Sequence, residues 1–513
     1  MSMNRRRFIS QSIGGIAALG IPAGILSGVV LPPTAGPDGM PDLNWYLQHF
    51  GVSKEQIARV METALARGGD YCDLFFQHAV AHYVALEDKQ VNQAYSSVDF
   101  GVGVRVLKGD QTGFSFTEVI TPEAMAQAAR AAAAIASGNR NRQVGPFRAR
   151  PTPPLYPLKK TWEAVPIGDK IPLLSTLGDR VIAIDPHVIK ANVDFSDESS
   201  YILLATSDGL MACDFQPMST LSVRCTAEKD SRRETNYASH AGRFGIEEYT
   251  PALLEAKAQE AVRKTMILFD AVQPKGGELP VILAPGGSGI LLHEAIGHGL
   301  EADFNRKGTS IFADKIGRQV AAPFVTILDD GTVPHLRGSI AFDDEGTDSQ
   351  RTVLVENGIM KSYLHDRLSA AFYKVPSTGN GRRQSFRFAP VPRMRTTCML
   401  GGPHTPEEII RSVDYGIYAE SFTNGQVNIG AGDFTFYVKL GYLVEGGKRT
   451  RPIKDINIIG NGFQVLSRIT MVGNDFAYDM GTWTCGKDGQ GVPVSMGLPT
   501  VKVSALTVGG TNG

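Results

Sequence analysis

Residues 279–299 read LPVILAPGGSGILLHEAIGHG, and the order of residue types in that run decides the local fold. Leu279 to Ala284 form an apolar run suited to a buried strand. Pro285-Gly286-Gly287-Ser288-Gly289 is a turn, and Ile290 to His298 has the length and composition of a helix. A strand, a Gly-rich turn and a helix in that order also suit a phosphate loop. The turn lacks the Gly-Lys-Ser/Thr ending whose lysine meets the phosphate, so that chemistry is set aside.

The helix instead carries His293, Glu294 and His298. In zinc-binding helices two His four residues apart share one face, and the Glu beside the first polarises a metal-bound water. Here the two His are five apart. A regular helix turns by about 500° over five residues, which leaves the two side chains roughly 140° apart. One ion can take both only if the helix is distorted by a π-bulge or ends early, and Gly297 offers backbone freedom for either. A catalytic zinc site needs a third protein ligand and an open position for water. His335, His365, His404, Cys398 and Cys485 all follow in the chain, and spacing does not choose among them.

Working outward, Ser53-Lys54-Glu55-Gln56 is a capping box ahead of Ile57, Val60, Met61, Ala64 and Leu65 at helical spacing, and Gly68-Gly69 closes that helix. Strands are expected around 71–87 and 99–107. Thr121-Pro122-Glu123 opens a second helix through an alanine-rich stretch to Ser137-Gly138. Residues 144–158 contain five prolines and read as a linker. Strand-like runs follow at 188–228, then a helix from Thr250-Pro251 to about Leu268. Beyond Glu278 short strands and Gly-rich turns dominate, with one helix near 405–414. The expected fold class is therefore α+β. A mixed N-terminal α/β region precedes a β-rich C-terminal domain that carries the distorted helix. The expected division is a signal segment at 1–36, an α+β domain at 45–143, a linker and middle region at 144–277, and a C-terminal domain at 278–513.

Composition narrows the function. The chain has 513 residues, 51 Lys and Arg against 52 Asp and Glu, and a formal net charge of −1, which lacks the basic footprint of a general nucleic-acid binder. Five cysteines without a Cys-x-x-Cys pair do not make a disulfide framework. The amino terminus, MSMNRRRFISQSIGGIAALGIPAGILSGVV, has three arginines before Phe8 and then a weakly apolar stretch rich in Gly and Ala. It resembles a twin-arginine export signal, which predicts a folded, exported, periplasmic or extracytoplasmic protein with no stable membrane insertion after cleavage. Asp329-Asp330-Gly331 and Asp343-Asp344-Glu345-Gly346 read as strand-joining turns, because calcium-loop spacing is absent. Asn380-Gly381 and Asn461-Gly462 also read as turns. Arg382 and Arg383 suit either a peptide carboxylate or solvated surface.

Several separated stretches resemble the TldD/PmbA family of peptidases: LLHEAIGHGLEADF at 291–304, DDGT at 329–332, FDDEGT at 342–347, STGNGR at 377–382, and CGKDGQGVPVSMGLPTVKVSALTVGG at 485–510. The resemblance spans nearly everything after the signal. It implies a catalytic TldD-type member with His293, His298 and Cys485 as ligands of one Zn²⁺ per chain. Glu294 would be the catalytic base of a metal-activated water. No substrate-binding residue is implied. The implied substrate is a peptide or unfolded polypeptide. The implied partner is a TldE/PmbA-like paralogue in a hetero-oligomer, or else a second copy in a homodimer. Two rivals stand beside this expectation: a non-catalytic assembly subunit with a structural metal, and a cysteine peptidase using Cys485.

Overall fold

The computed structural model describes residues 41–138 and 143–510; the export segment read at residues 1–36 lies outside them. Among the described residues no helix is long and apolar enough to cross a membrane.

One large sheet organises the first half. Its strands are β1 (Tyr71–Glu87), β2 (Gln90–Lys108), β3 (Gln111–Thr117), β4 (Arg148–Arg150), β5 (Val188–Thr206), β6 (Leu210–Lys229) and β7 (Arg232–Gly242). The antiparallel order is β3-β2-β1-β5-β6-β7, and β4 pairs in parallel with the start of β6. Alternation along β1 sorts the layers, because successive side chains point to opposite faces. Leu74 and Phe76 face a core built with helices α1 (Leu43–Phe50), α2 (Lys54–Leu65) and α3 (Pro122–Ala132). Further along that face Val84 and Leu86 meet α4 (Ile167–Ile184) and α5 (Pro251–Met266). Phe75 points the other way and joins Ile202 and Leu204 against Ala341, Phe342 and Phe386 of the second half. The sheet is thus a partition, with helices on one side and the rest of the protein on the other.

The helix starts follow the caps read from sequence. Ser53 and Gln56 form the capping box of α2, and Thr121 and Thr250 cap α3 and α5 ahead of a proline in the first turn. Several elements were not expected, among them α1 and β3. Strand β2 begins at Gln90, well before residue 99, while β7 and α4 had no counterpart in the sequence reading. Pro166, Gly168, Pro172 and Gly178 disguise α4. Its buried positions Leu174, Leu177 and Val181 keep helical spacing, and buried Lys170 pairs with Asp197 at 2.6 Å. The proline-rich stretch after residue 144 contributes β4 to the sheet edge.

The second half centres on a closed sheet. Strand β8 (Gly277–Leu283) pairs in parallel with Tyr415–Asn428 and antiparallel with Val501–Val508. From there the pairing runs through Ile456–Asn461 and Asp433–Glu445 and returns to Tyr415–Asn428, so these five strands leave no free edge. Leu291, Leu292, Ala295 and Ile296 share the core of this barrel with Phe434, Phe436 and Val438. A six-stranded mixed sheet, from Ile359–Met360 to Ala477–Tyr478, lies beside it.

Three readings of polar stretches need correcting, those of Arg382-Arg383, Asn380-Gly381 and Asn461-Gly462. Asp343 accepts from the amides of Glu345 and Thr347, and Asp330 from that of Thr332, so both acidic runs do turn. Both turns lie in the interior. Asp329, Asp343 and Glu345 are buried, with Asp329 holding Arg395, Asn380 and Thr397. Glu345 and Asp73 clamp Arg105 at 2.5 and 2.6 Å, and Arg383 reaches Asp73 at 3.1 Å. These contacts tie the two halves together. Arg382 and Arg383 are buried, not solvated. Asn380-Gly381 is buried and enters a short strand, and Gly462 starts the helix Gly462–Ser467. A Cβ on Gly462 would lie 2.0 Å from the Ala295 carbonyl oxygen, so this junction is glycine because the next layer touches it.

Candidate metal centre

The segment after β8 is distorted where its spacing requires. Ile290–Leu292 is a single α-turn, His293–Gly297 widens to π geometry with the His298 amide bonded to the His293 carbonyl, and His298–Leu300 tightens to a 3₁₀ turn. A π turn takes more residues per revolution than an α turn, so positions five apart converge. The His293 and His298 rings lie 4.8 Å apart between centroids and nearly perpendicular at 84°. Gly297 has φ −55° and ψ −56°, an ordinary helical conformation, so the expectation of backbone freedom there does not hold. Space is what excludes a side chain. A Cβ at Gly297 would sit 2.1 Å from the sulfur of Met394.

The third donor comes from far along the chain. Thr484–Lys487 and Gln490–Pro493 form a hairpin whose turn residues Asp488 and Gly489 both have positive φ, as a tight two-residue Asp-Gly turn requires. Cys485 on its first strand is buried. One donor atom from each of His293, His298 and Cys485 lies within 4.8 Å of the others, and Cys485 Sγ is 3.4 Å from His298 Nε2. The other candidates lie elsewhere. His335 stacks on Phe244, His365 packs on Tyr363 and Tyr373, His404 stands beside Glu408, and Cys398 is buried in the strand Thr396–Met399.

Supporting groups fix the donors. His298 Nδ1 is 3.1 Å from Glu301 Oε2, which assigns the ring proton to Nδ1 and turns the Nε2 lone pair toward Cys485. Burial pushes the Glu301 carboxyl up, but Lys487 and His298 outweigh it and hold it down at about 2. Lys487 is itself gripped by Glu301 at 3.2 Å and Asp303 at 2.7 Å. Burial raises the Cys485 thiol, yet His293 and His298 beside it bring it well below its ordinary value. Buried Arg393 donates to the Cys485 carbonyl and, at 3.3 Å, to that of Gln490, which pins the hairpin. The sequence reading passed over Glu301, Lys487 and Arg393. The position of Glu301 three residues after His298 was the available signal; nothing local marks Arg393.

A cleft of about 600 Å³ opens onto the three donors, with Glu294 in its wall and Thr423, Gln426, Trp483 and Phe304 among its other sides. The donor set suits a divalent cation. Two imidazoles and a low-pKa thiol favour zinc over hard, oxygen-seeking ions. The buried Nδ1 of His293 has no hydrogen-bond partner in the protein, an orphan that a bound ion and its surroundings would have to satisfy.

Known proteins resemble the chain over nearly its whole described length. Residues 72–136, 160–269 and 276–510 match domain 1, the central domain and the C-terminal domain of the PmbA/TldA metallopeptidases. A Haemophilus influenzae protein named metalloprotease TldD homolog is 38% identical over 478 residues, covering 91% of this chain and 99% of its own. A Saccharolobus solfataricus protein named zinc metalloprotease TldD homolog is 29% identical over 456 residues, with 86% and 97% covered. Among solved structures, a Thermotoga maritima protein described as a proposed modulator of a DNA gyrase superposes with a TM-score of 0.73 at 22% identity, covering 89% of this chain and 100% of that one. TldE from Thermococcus kodakarensis gives 0.69 at 20% identity, covering 89% and 99%. At such identities the structures speak for the fold alone.

Proposed function

The chain belongs to the PmbA/TldA metallopeptidase family, and on that premise we propose that it is a zinc-dependent peptidase acting on peptides or unfolded polypeptides. The observation that carries this reading is a buried group of three donors, His293, His298 and Cys485, opening onto a cleft walled by Glu294. Those three residues would hold the ion. Among the described residues the group contains no fourth donor, which favours a site with an open position over a closed structural one. A zinc relative in the same family supports the choice of metal.

When bound, Zn²⁺ supplies Lewis acidity that polarises a peptide carbonyl and makes a water more acidic. The chain's own residues do the rest. Glu294 takes the proton of the attacking water and delivers it to the leaving amine nitrogen. Glu301, itself anchored by Lys487, holds the His298 ring in one orientation. Trp483 and Phe304 narrow the cleft and limit bulk water around the reacting bond.

The partner reading rests on an exposed ribbon. Gln90 to Val98 of β2 are exposed throughout, with Tyr95 at 58% and Val98 at 60%, more apolar surface than a free ribbon needs. A TldE/PmbA-like paralogue, or a second copy, would cover it, and assembly would enclose the cleft so that extended chains enter and folded domains do not. The arginine-rich start of the chain supports export by the twin-arginine route.

Zinc content and turnover of a flexible peptide, measured together, test the catalytic reading. The Glu294→Gln protein should keep about one zinc per chain and its fold, yet hydrolyse about 10²–10⁴-fold more slowly, because an amide cannot accept the proton. Turnover equal to that of the parent protein would remove Glu294 from the chemistry.

A further inference from the structure

A second cavity, of about 400 Å³, lies at the junction of the two halves. Its walls include Arg243, Arg337, Arg382 and Arg383, facing only two carboxylates, Glu198 and Asp344. All four arginines are at least nine-tenths buried. Their bonds are mostly to neutral groups. Arg382 donates to the carbonyls of Met394 and Pro493 at 2.6 and 2.8 Å, Arg243 to that of Pro217 at 3.3 Å, and Arg337 to the hydroxyl of Thr220 at 3.1 Å. Arg383 alone reaches a carboxylate, that of Asp73. The Nε atoms of Arg243, Arg337 and Arg383, and Nη1 of Arg383, are buried without a partner.

An uncompensated buried cation is costly, and Arg243, Arg337 and Arg382, which bond neutral groups around this space, leave an anion-shaped deficit. Burial and the crowd of neighbouring guanidiniums pull Arg382 down to about 9, and burial with Arg243 pulls Arg337 down to about 10. Burial raises the Glu198 carboxyl, while Arg243 and Arg337 beside it pull the other way. Guanidinium forks match planar carboxylates in two-point fashion.

The location gives the deficit a purpose. Thr484, Gly491 and Pro493 of the hairpin that bears Cys485 form one wall of this cavity, and Thr484 also lines the metal cleft. We infer that the junction cavity is a carboxylate-binding subsite for the substrate peptide, with Arg337, the least buried of the four, as its donor, next to the proposed reaction centre. The ligand is a carboxylate of the peptide, either its free C-terminus or an acidic side chain near the cut. This inference rests on the peptidase reading given above.

Peptide binding to the zinc-loaded full chain carrying Glu294→Gln separates the two, since the peptide then survives the measurement. Three fluorescent peptides of one sequence serve as probes: free acid, C-terminal amide, and amide with a terminal Asp. The free acid should bind at least about tenfold more tightly than the amide, the worth of a charge-assisted hydrogen bond. Recovery of tight binding by the Asp-ended amide identifies the side chain as an equally accepted source. Failure to recover identifies the α-carboxylate. In either case Arg337→Met should erase the acid preference and Arg337→Lys should keep part of it. A purely structural Arg337 would change the melting temperature and leave the preference intact. If Arg337→Met does not fold, the three peptides on the parent protein still decide. Equal affinity for all three overturns the subsite. The peptidase reading is judged separately, since hydrolysis without acid preference leaves it standing, and acid preference without hydrolysis by the Glu294-containing chain removes it alone.

Discussion

The metal cleft and the junction cavity are both buried, both ionic and both walled by the Thr484–Pro493 hairpin, yet their unsatisfied atoms differ in kind. Among the three donors the orphan is His293 Nδ1, which can offer a lone pair. In the junction the orphans are arginine nitrogens, which can only donate. A pocket of the first kind is completed by a cation and one of the second by an anion. A metallopeptidase needs both if it is to polarise a peptide bond and also hold the charged part of its substrate. Between them Met394 is shared, its sulfur against Gly297 and its carbonyl on Arg382.

The largest effect should come from removing a lone pair. His293→Ala, His298→Ala and Cys485→Ala should each strip most of the zinc and abolish hydrolysis, read by metal analysis of the purified protein. Full occupancy in one variant would delete that residue from the donor set. Next comes the ion network that joins the halves. Arg105→Met leaves Asp73 and Glu345 buried with less compensation and should destabilise the fold by about 3–5 kcal/mol in denaturant titration. Adding Glu345→Gln should recover part of that loss, since one of the stranded charges is gone. No recovery would mean that packing around Arg105, not charge, carries the cost.

A smaller change should follow at Glu301. Glu301→Gln keeps a hydrogen-bond acceptor for His298 but loses the charge, and a weakened supporting group typically lowers metal affinity by about 10–100-fold. A competition titration against a chelator measures this. Acid preference in the junction cavity should stay unchanged in the same protein, which separates the two pockets.

The same polarity difference explains what could be read from the chain. His293, Glu294 and His298 lie within six residues, so both the motif and its strained spacing were visible, and of the two distortions that would bring the His together, a π-bulge or an early helix end, the structure shows the π turn. Spacing could not choose Cys485 from five candidates, because its place is set by a hairpin nearly two hundred residues away; only family resemblance pointed to it. Caps such as Ser53 and Thr121 announced their helices through local hydrogen bonds. Helix α4 stayed hidden because Pro166 and Pro172 punctuate a segment whose helicity comes from burying Leu174, Leu177 and Val181 under the sheet. Arg382 and Arg383 of the junction read as possible surface for a related reason. A charged side chain is solvated by default, and only the three-dimensional meeting of residues as distant as Asp73 and Arg383 shows otherwise.

The smallest effect tests what Gly297 is for. If the glycine were needed for backbone freedom, alanine there would damage the π turn whatever stood opposite. Its φ and ψ are ordinary helical values, so alanine is conformationally acceptable and even favoured by helix propensity. What alanine meets is the Met394 sulfur, 2.1 Å from the new Cβ, on a side chain with no exposure to solvent. Gly297→Ala should therefore cost about 1–3 kcal/mol through overpacking. Trimming the opposing side chain should relieve it, so Gly297→Ala with Met394→Ala should be less destabilised than the two single losses combined, by about 0.5 kcal/mol or more. Zinc affinity should fall in Gly297→Ala and recover in the double variant, because the donors sit on the displaced turn. Strict additivity in stability, with zinc affinity unrecovered, would return the role to the backbone and leave the contact with Met394 incidental.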